Sequence, residues 1–111
     1  MAQSTNLSYA SASILLAIDS GFRYGFDIMD CTGLPSGTVY PALRRLEDAN
    51  LVSAEWEDAS NPNRQRPARK YYSITSLGGR ALAAALKRYP LMEHVLDGLR
   101  QEDESRQQSS E

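Results

Sequence analysis

At 111 residues the chain has room for one domain and one core, and its 41% hydrophobic and 23% charged residues are those of an ordinary globular protein. A single cysteine (Cys31) and a single histidine (His94) exclude an intramolecular disulfide and any multi-Cys or multi-His metal cluster, and no apolar run approaches a membrane span. The formal net charge of −2 comes from 12 bases and 14 acids, but residues 101–111 hold four of those acids and one base, so residues 1–100 carry 11 bases and 10 acids. What matters to a phosphate is local charge, and "RQRPARK" (Arg64 to Lys70) concentrates four cations with no acid among them.

The N-terminus has neither a basic n-region nor an apolar h-region and does not read as a secretory signal, so a cytoplasmic location is expected. Residues 1–6 read as a flexible lead. "LSYASASILLAIDSG" then places Leu7, Ser11, Ile14, Leu15 and Ile18 on one helical face, with Ser8 as N-cap and Gly21 as stop. "FRYGFDIMDCTG" predicts a short second helix over Tyr24 to Cys31, its apolar side given by Phe26, Met29 and Ile28 and its end by Gly33. Cys31 reads as a small packing residue rather than a reactive thiol.

"LPSGTVYPALRRLEDAN" predicts a third helix with Ser36 as N-cap and an inward stripe of Val39, Leu43 and Leu46. Pro41 is expected in the first turn, where its missing N–H costs nothing, and Asn50 at the C-terminus in a left-handed conformation. The period then changes to two. "LVSAEWE" sets Val52, Ala54 and Trp56 against Ser53, Glu55 and Glu57, and "RKYYSIT" sets Tyr72 and Ile74 against Tyr71 and Ser73. The polar stretch between them is too long for a tight turn, so the pair reads as a β-hairpin with a long basic tip.

After the hairpin, Thr75 is the expected N-cap of a long terminal helix over residues 75–101, kinked or split at Pro90. Its narrow apolar stripe of Leu82, Leu86, Tyr89, Met92, Leu96 and Leu99 is longer than one small domain can cover, which points to a homodimer contact. Residues 102–111 read as a disordered polar tail.

This order predicts an α+β, mostly helical fold: a winged helix-turn-helix of three helices and a two-stranded hairpin wing over residues 7–74, followed by a long C-terminal dimerisation helix. In such folds the second helix of the motif enters the major groove with its N-terminal end toward the bases, while basic groups elsewhere hold phosphates. The candidate base-reading or phosphate-binding residues are therefore Ser36, Gly37, Thr38, Tyr40, Pro41, Arg44 and Arg45 on the third helix, with Arg64, Arg66, Arg69 and Lys70 on the wing. Arg44 and Arg45 diverge by about 100°, so one can reach DNA while the other pairs with Glu47 or Asp48. Tyr40 has two readings, a ring packed on the first helices and a hydroxyl on a phosphate.

Four stretches carry a resemblance: Tyr24-Gly25-Phe26, "SGTVYPALRRL", Glu55-Trp56-Glu57, and Arg69-Lys70-Tyr71-Tyr72 ahead of Thr75. Over about residues 7 to 85 the chain closely resembles the PadR family of bacterial transcriptional regulators, in the subgroup with one main terminal helix. The resemblance implies a homodimer held by C-terminal helices, a repressor of neighbouring genes, and release by a small hydrophobic or aromatic effector. It also adds Tyr24 to the candidate DNA contacts. A pocket at the dimer seam would be lined by Ile14, Ile18, Met92 or Leu96. No catalytic constellation, cofactor or metal site is expected. The competing class is a winged-helix protein-interaction module without DNA binding, which the negative net charge permits.

Overall fold

The computed structural model describes residues 7–58, 60, 62–63, 65–92 and 94. Its elements are α1 (Tyr9–Asp19), α2 (Gly25–Thr32), α3 (Ser36–Asp48), β1 (Val52–Trp56), β2 (Lys70–Ile74) and α4 (Ser76–Arg88). The mostly helical fold with a two-stranded hairpin is the one the sequence predicts. Among the described residues no helix is long and apolar enough to cross a membrane.

α1 is the hub. Ser8 caps it by accepting the Ser11 N–H at 3.1 Å, and Gly21 ends it at φ 106°, where a side chain would be strained. Its inward surface is wider than the expected stripe, because Ala12, Leu16 and Ala17 are buried along with Ile14, Leu15 and Ile18. The reason is that α2, α3, α4 and β2 all pack on this one helix, so little of it is left for solvent. Each fully buried Ile or Leu contributes roughly 1.5–3 kcal/mol of transfer free energy.

α2 differs from its expected apolar side. Phe26 is 65% exposed, and the residues turned inward are Ile28 and Gly25. The outer end of the Tyr40 side chain occupies the space beside Gly25, so a Cβ at position 25 would lie 2.6–2.8 Å from it and the phenol would have to shift. Gly33, at φ 75°, closes the helix as expected, and its N–H returns to the Met29 carbonyl at 2.9 Å. Cys31 is half-buried against the core.

α3 begins one residue earlier than a Ser36 cap would have it: Pro35 is the N-cap, with no side-chain cap bond, and Ser36 is already helical. Pro41 is consequently the sixth residue of α3 rather than part of its first turn. It is tolerated because only one turn precedes it and the carbonyl it deprives of a donor belongs to exposed Gly37, which water can reach. Asn50 takes the expected left-handed conformation at φ 62°.

The strands pair antiparallel in the register Val52 to Ile74, Ala54 to Tyr72 and Trp56 to Lys70. Burial fades along the inward face, from Val52 through half-buried Ala54 to Trp56, which is 66% exposed because the hairpin has by then left the core. A bridge from Tyr24 to Tyr71, and a bond from the Tyr72 N–H to the Arg23 carbonyl at 2.9 Å, tie the start of α2 to β2.

Thr75 caps α4 by accepting the Gly78 N–H at 2.9 Å. α4 ends at Arg88, ahead of Pro90, because the residue before a proline is driven out of helical geometry, and Tyr89 sits at φ −120°, ψ 77°. Hydrogen bonding then resumes in separate turns, Met92 N–H to the Tyr89 carbonyl and His94 N–H to the Leu91 carbonyl. Residues 95–101 of the expected long helix, the tail over 102–111 and the lead over 1–6 lie outside the described residues.

The described part of the expected dimer stripe packs within the chain itself. Leu82 and Met92 are buried in the core, Leu86 packs against it, and the Tyr89 hydroxyl donates to the Leu7 carbonyl at 2.9 Å while its ring stands edge-on to Tyr9. Ile14, Ile18 and Met92, expected along a pocket, also fill this core, and Ile14 and Met92 have no exposed surface at all. Leu96 and Leu99 lie outside the described residues.

Candidate nucleic-acid interface

The inward residues of α3 are Val39, Ala42, Leu43 and Leu46. At about 100° per residue the opposite ridge is Gly37, Pro41, Arg44 and Asp48, flanked by Tyr40 and Glu47 on one side and by Thr38 and Arg45 on the other. Gly37, Tyr40, Pro41, Arg44, Arg45 and Asp48 are all exposed, and Thr38 is half-buried. Thr38 and Tyr40 therefore flank the ridge rather than crown it. Arg44 and Arg45 are both exposed and neither makes an ion pair among the described residues, so the expected division of labour between them does not occur in the free chain.

The N-terminal end of this ridge is open. Pro35 has no N–H, and the Thr38 and Val39 N–H groups both bond to its carbonyl at 3.0 Å. The N–H groups of Ser36 and Gly37 are left pointing out of the helix end, where its dipole favours an anion. A Cβ on Gly37 would meet nothing within 4 Å, so packing does not require glycine there.

Tyr40 lies on the wing-side flank with its ring across Gly25 of α2, and is 49% exposed. Its hydroxyl makes no hydrogen bond among the described residues. The ring thus packs on the scaffold and leaves the phenol oxygen available. With Tyr24, Phe26, Trp56, Arg69 and Lys70 it lines a cleft of about 350 Å³ between α2, α3 and the hairpin.

The wing carries its charge differently. Arg66 forms a two-pronged pair with Glu57, at 2.6 and 3.0 Å, and Glu57 also accepts the Arg69 N–H at 3.0 Å and the Tyr71 hydroxyl at 3.3 Å. The Arg66 guanidinium, followed by the Arg69 N–H, holds the Glu57 carboxyl down at about 2. Lys70 pairs with Glu47 of α3 at 3.1 Å and lies over the rings of Trp56 and Tyr72. Arg69 has no carboxylate partner among the described residues, and its guanidinium stacks on Tyr24 at 4.6 Å from the ring centre. Arg64 lies outside the described residues.

Tyr24 is built into this arrangement rather than displayed on it. Its hydroxyl donates to Tyr71 at 2.6 Å, and Tyr71 donates onward to Glu57, so a hydrogen-bonded chain runs from the start of α2 to the wing. The bond from Tyr24, reinforced by partial burial, pushes the Tyr71 phenol up to about 12. Arg23 adds a second tie, donating from Nε to the Tyr72 carbonyl at 3.0 Å and from its terminal nitrogen to Ser73 at 2.5 Å. Sequence reading missed Arg23, the role of Glu57, and the pairing of Glu47 with Lys70 rather than with an α3 arginine. Each acts across 9 to 50 residues, and no local spacing announces such a pair.

Beside this exposed helix ridge and hairpin stands the match to a family model: the chain matches that of the transcriptional regulator PadR-like family over residues 14–84, from within α1 to within α4. The chain belongs to the PadR-like family. As a PadR-like regulator it is a DNA-binding transcriptional regulator.

Solved structures agree on the fold. A PadR family regulator from Clostridium difficile R20291 superposes with a TM-score of 0.64 at 24% identity, covering 83% of this chain and 98% of that one. A PadR-like transcriptional regulator from Bacillus cereus gives 0.58 at 25% identity, covering 82% and 90%. An uncharacterised protein of Lysinibacillus sphaericus is 29% identical over 83 residues, which span 68% of this chain and 72% of that one.

Proposed function

We propose that the chain is a cytoplasmic repressor that binds an inverted-repeat operator as a homodimer. The observation that carries the reading is the α3 ridge: Gly37, Pro41 and Arg44 exposed in line, Arg45 beside them, and the nearby acid Glu47 turned onto Lys70. Arg44 reads base edges, the Ser36 and Gly37 N–H groups take a phosphate, and Arg69 supplies a further phosphate contact from the wing. Tyr40 contributes its hydroxyl to the backbone while its ring stays on Gly25. A twofold axis then sets half-sites about 34 Å apart.

Support for the dimer comes from the apolar sequence stripe that continues through Leu96 and Leu99, together with exposed Leu77 and Leu91 at the two ends of α4 and its following turn. Since Ile14, Ile18 and Met92 are core residues, a hydrophobic or aromatic effector acting at the seam would have to open that core or bind beside it. The test is a salt titration of binding to the chain's own upstream region: log K should fall linearly with log salt by about 0.9 per phosphate contacted. A chain with no salt-dependent duplex binding would instead be a protein-interaction module.

A further inference from the structure

Four arginines and lysines in seven residues make the wing look like the strongest phosphate-binding feature of the chain. In the structure one carboxylate reverses that. Glu57, immediately after β1, meets the Arg66 guanidinium with both oxygens, the same planar two-bond geometry by which arginine grips a phosphate. The carboxylate side chain is only 14% exposed and is held from three sides, by Arg66, by the Arg69 N–H and by Tyr71, whose hydroxyl is itself fixed by Tyr24. The acid is thus held by the scaffold as well as by Arg66, and it stays ionised throughout the neutral range.

We propose that Glu57 is an internal phosphate mimic that keeps Arg66 out of the DNA contact, so that the wing binds with one phosphate fewer than its sequence offers and α3 carries more of the affinity. This rests on the DNA-binding reading above. An Arg66 committed to Glu57 presents a neutral pair, whose field at a phosphate is that of a dipole rather than a cation. Glu57 is a positioning residue: it touches no DNA and acts through Arg66.

The experiment compares the full-length chain with Glu57→Gln, Arg66→Ala and the double variant on a duplex of the upstream region and on a scrambled one. The salt dependence of binding is measured for each, with thermal melting as the check on folding. Glutamine keeps acceptors for the Arg69 N–H and Tyr71 while removing the charge. The expected result is a slope of log K against log salt steeper by about 0.9 for Glu57→Gln, which amounts to roughly eightfold tighter binding at 0.1 M relative to 1 M salt. In the double variant the slope returns to that of the wild type. Arg66→Ala alone weakens both duplexes, because it leaves Glu57 facing the DNA without its counter-charge.

A folded Glu57→Gln protein with an unchanged or shallower slope would overturn the inference, since Arg66 would then already reach the phosphate, or Glu57 would merely shape the wing. If Glu57→Gln fails to melt cooperatively, Arg66→Ala decides: a slope shallower by about 0.9 with no added repulsion at low salt means that Arg66 was a phosphate contact all along. A wild-type chain that binds neither duplex would instead defeat the DNA-binding reading itself.

Discussion

α3 holds two cations and the wing four, and the described ones are presented in opposite ways. On α3, Arg44 and Arg45 stand in solvent without ion pairs among the described residues, beside Gly37 and Pro41, which add little bulk. On the wing, Arg66 and Lys70 are each tied to a glutamate, and Arg69 lies on a tyrosine ring. Counting basic residues along a sequence therefore overstates the wing and understates the helix. What a duplex meets is the charge left after internal pairing.

Substitutions can pull the two regions apart. The largest binding effect is expected from Arg44→Ala, a loss of about 1–3 kcal/mol on the operator with relaxed preference at the bases it faces, measured by competition with single-base operator variants. Gly25→Ala should come next: its Cβ displaces the outer end of the half-exposed Tyr40 side chain, so the phenol moves off α2 while stability in a denaturant melt changes by no more than about 1 kcal/mol. Arg69→Ala should weaken every duplex alike and lower the salt slope by about 0.9, read from the same titration. Glu47→Gln frees Lys70, but the pair is partly exposed, so the change in stability should stay below about 0.5 kcal/mol.

The smallest effect concerns pH. The Glu57 carboxyl is depressed to about 2, so the stability its pairing contributes is fully present above the ordinary carboxylate value of 4.5 and is lost only as pH falls from there toward 2. The Tyr71 phenol is raised to about 12, so its contribution is intact below 10 and is lost as pH climbs from 10 to 12. Between pH 5.5 and 8 the wing should not change state through either group, and the salt slope of the wild type should be constant.

Local signals in the sequence carried most of the fold. Ser8, Gly21, Gly33, Asn50 and Thr75 each mark an element boundary by a cap or a left-handed turn, and the change from helical period to alternation at Leu51 is followed by β1 at Val52. Apolar periodicity misled where an aromatic serves a surface: Phe26 and Trp56 hold positions on apparently inward faces, yet both line the open cleft beside Tyr40. Pro41 misled because a rule about first turns takes no account of a preceding helix only one turn long. Most of the exposed residues of α3 were legible in the sequence. The state of the wing was not, because Glu57 meets Arg66 across nine residues of hairpin tip and Glu47 meets Lys70 between two elements.

The central claim is that α3 reads sequence while the wing supplies only phosphate contacts. Its most direct test measures binding of the wild type, Arg44→Ala and Arg69→Ala to the operator and to a scrambled duplex at one salt concentration. The account predicts that Arg44→Ala narrows the operator-to-scrambled ratio and that Arg69→Ala leaves the ratio intact while lowering both affinities. Equal changes in the ratio from the two variants would contradict it.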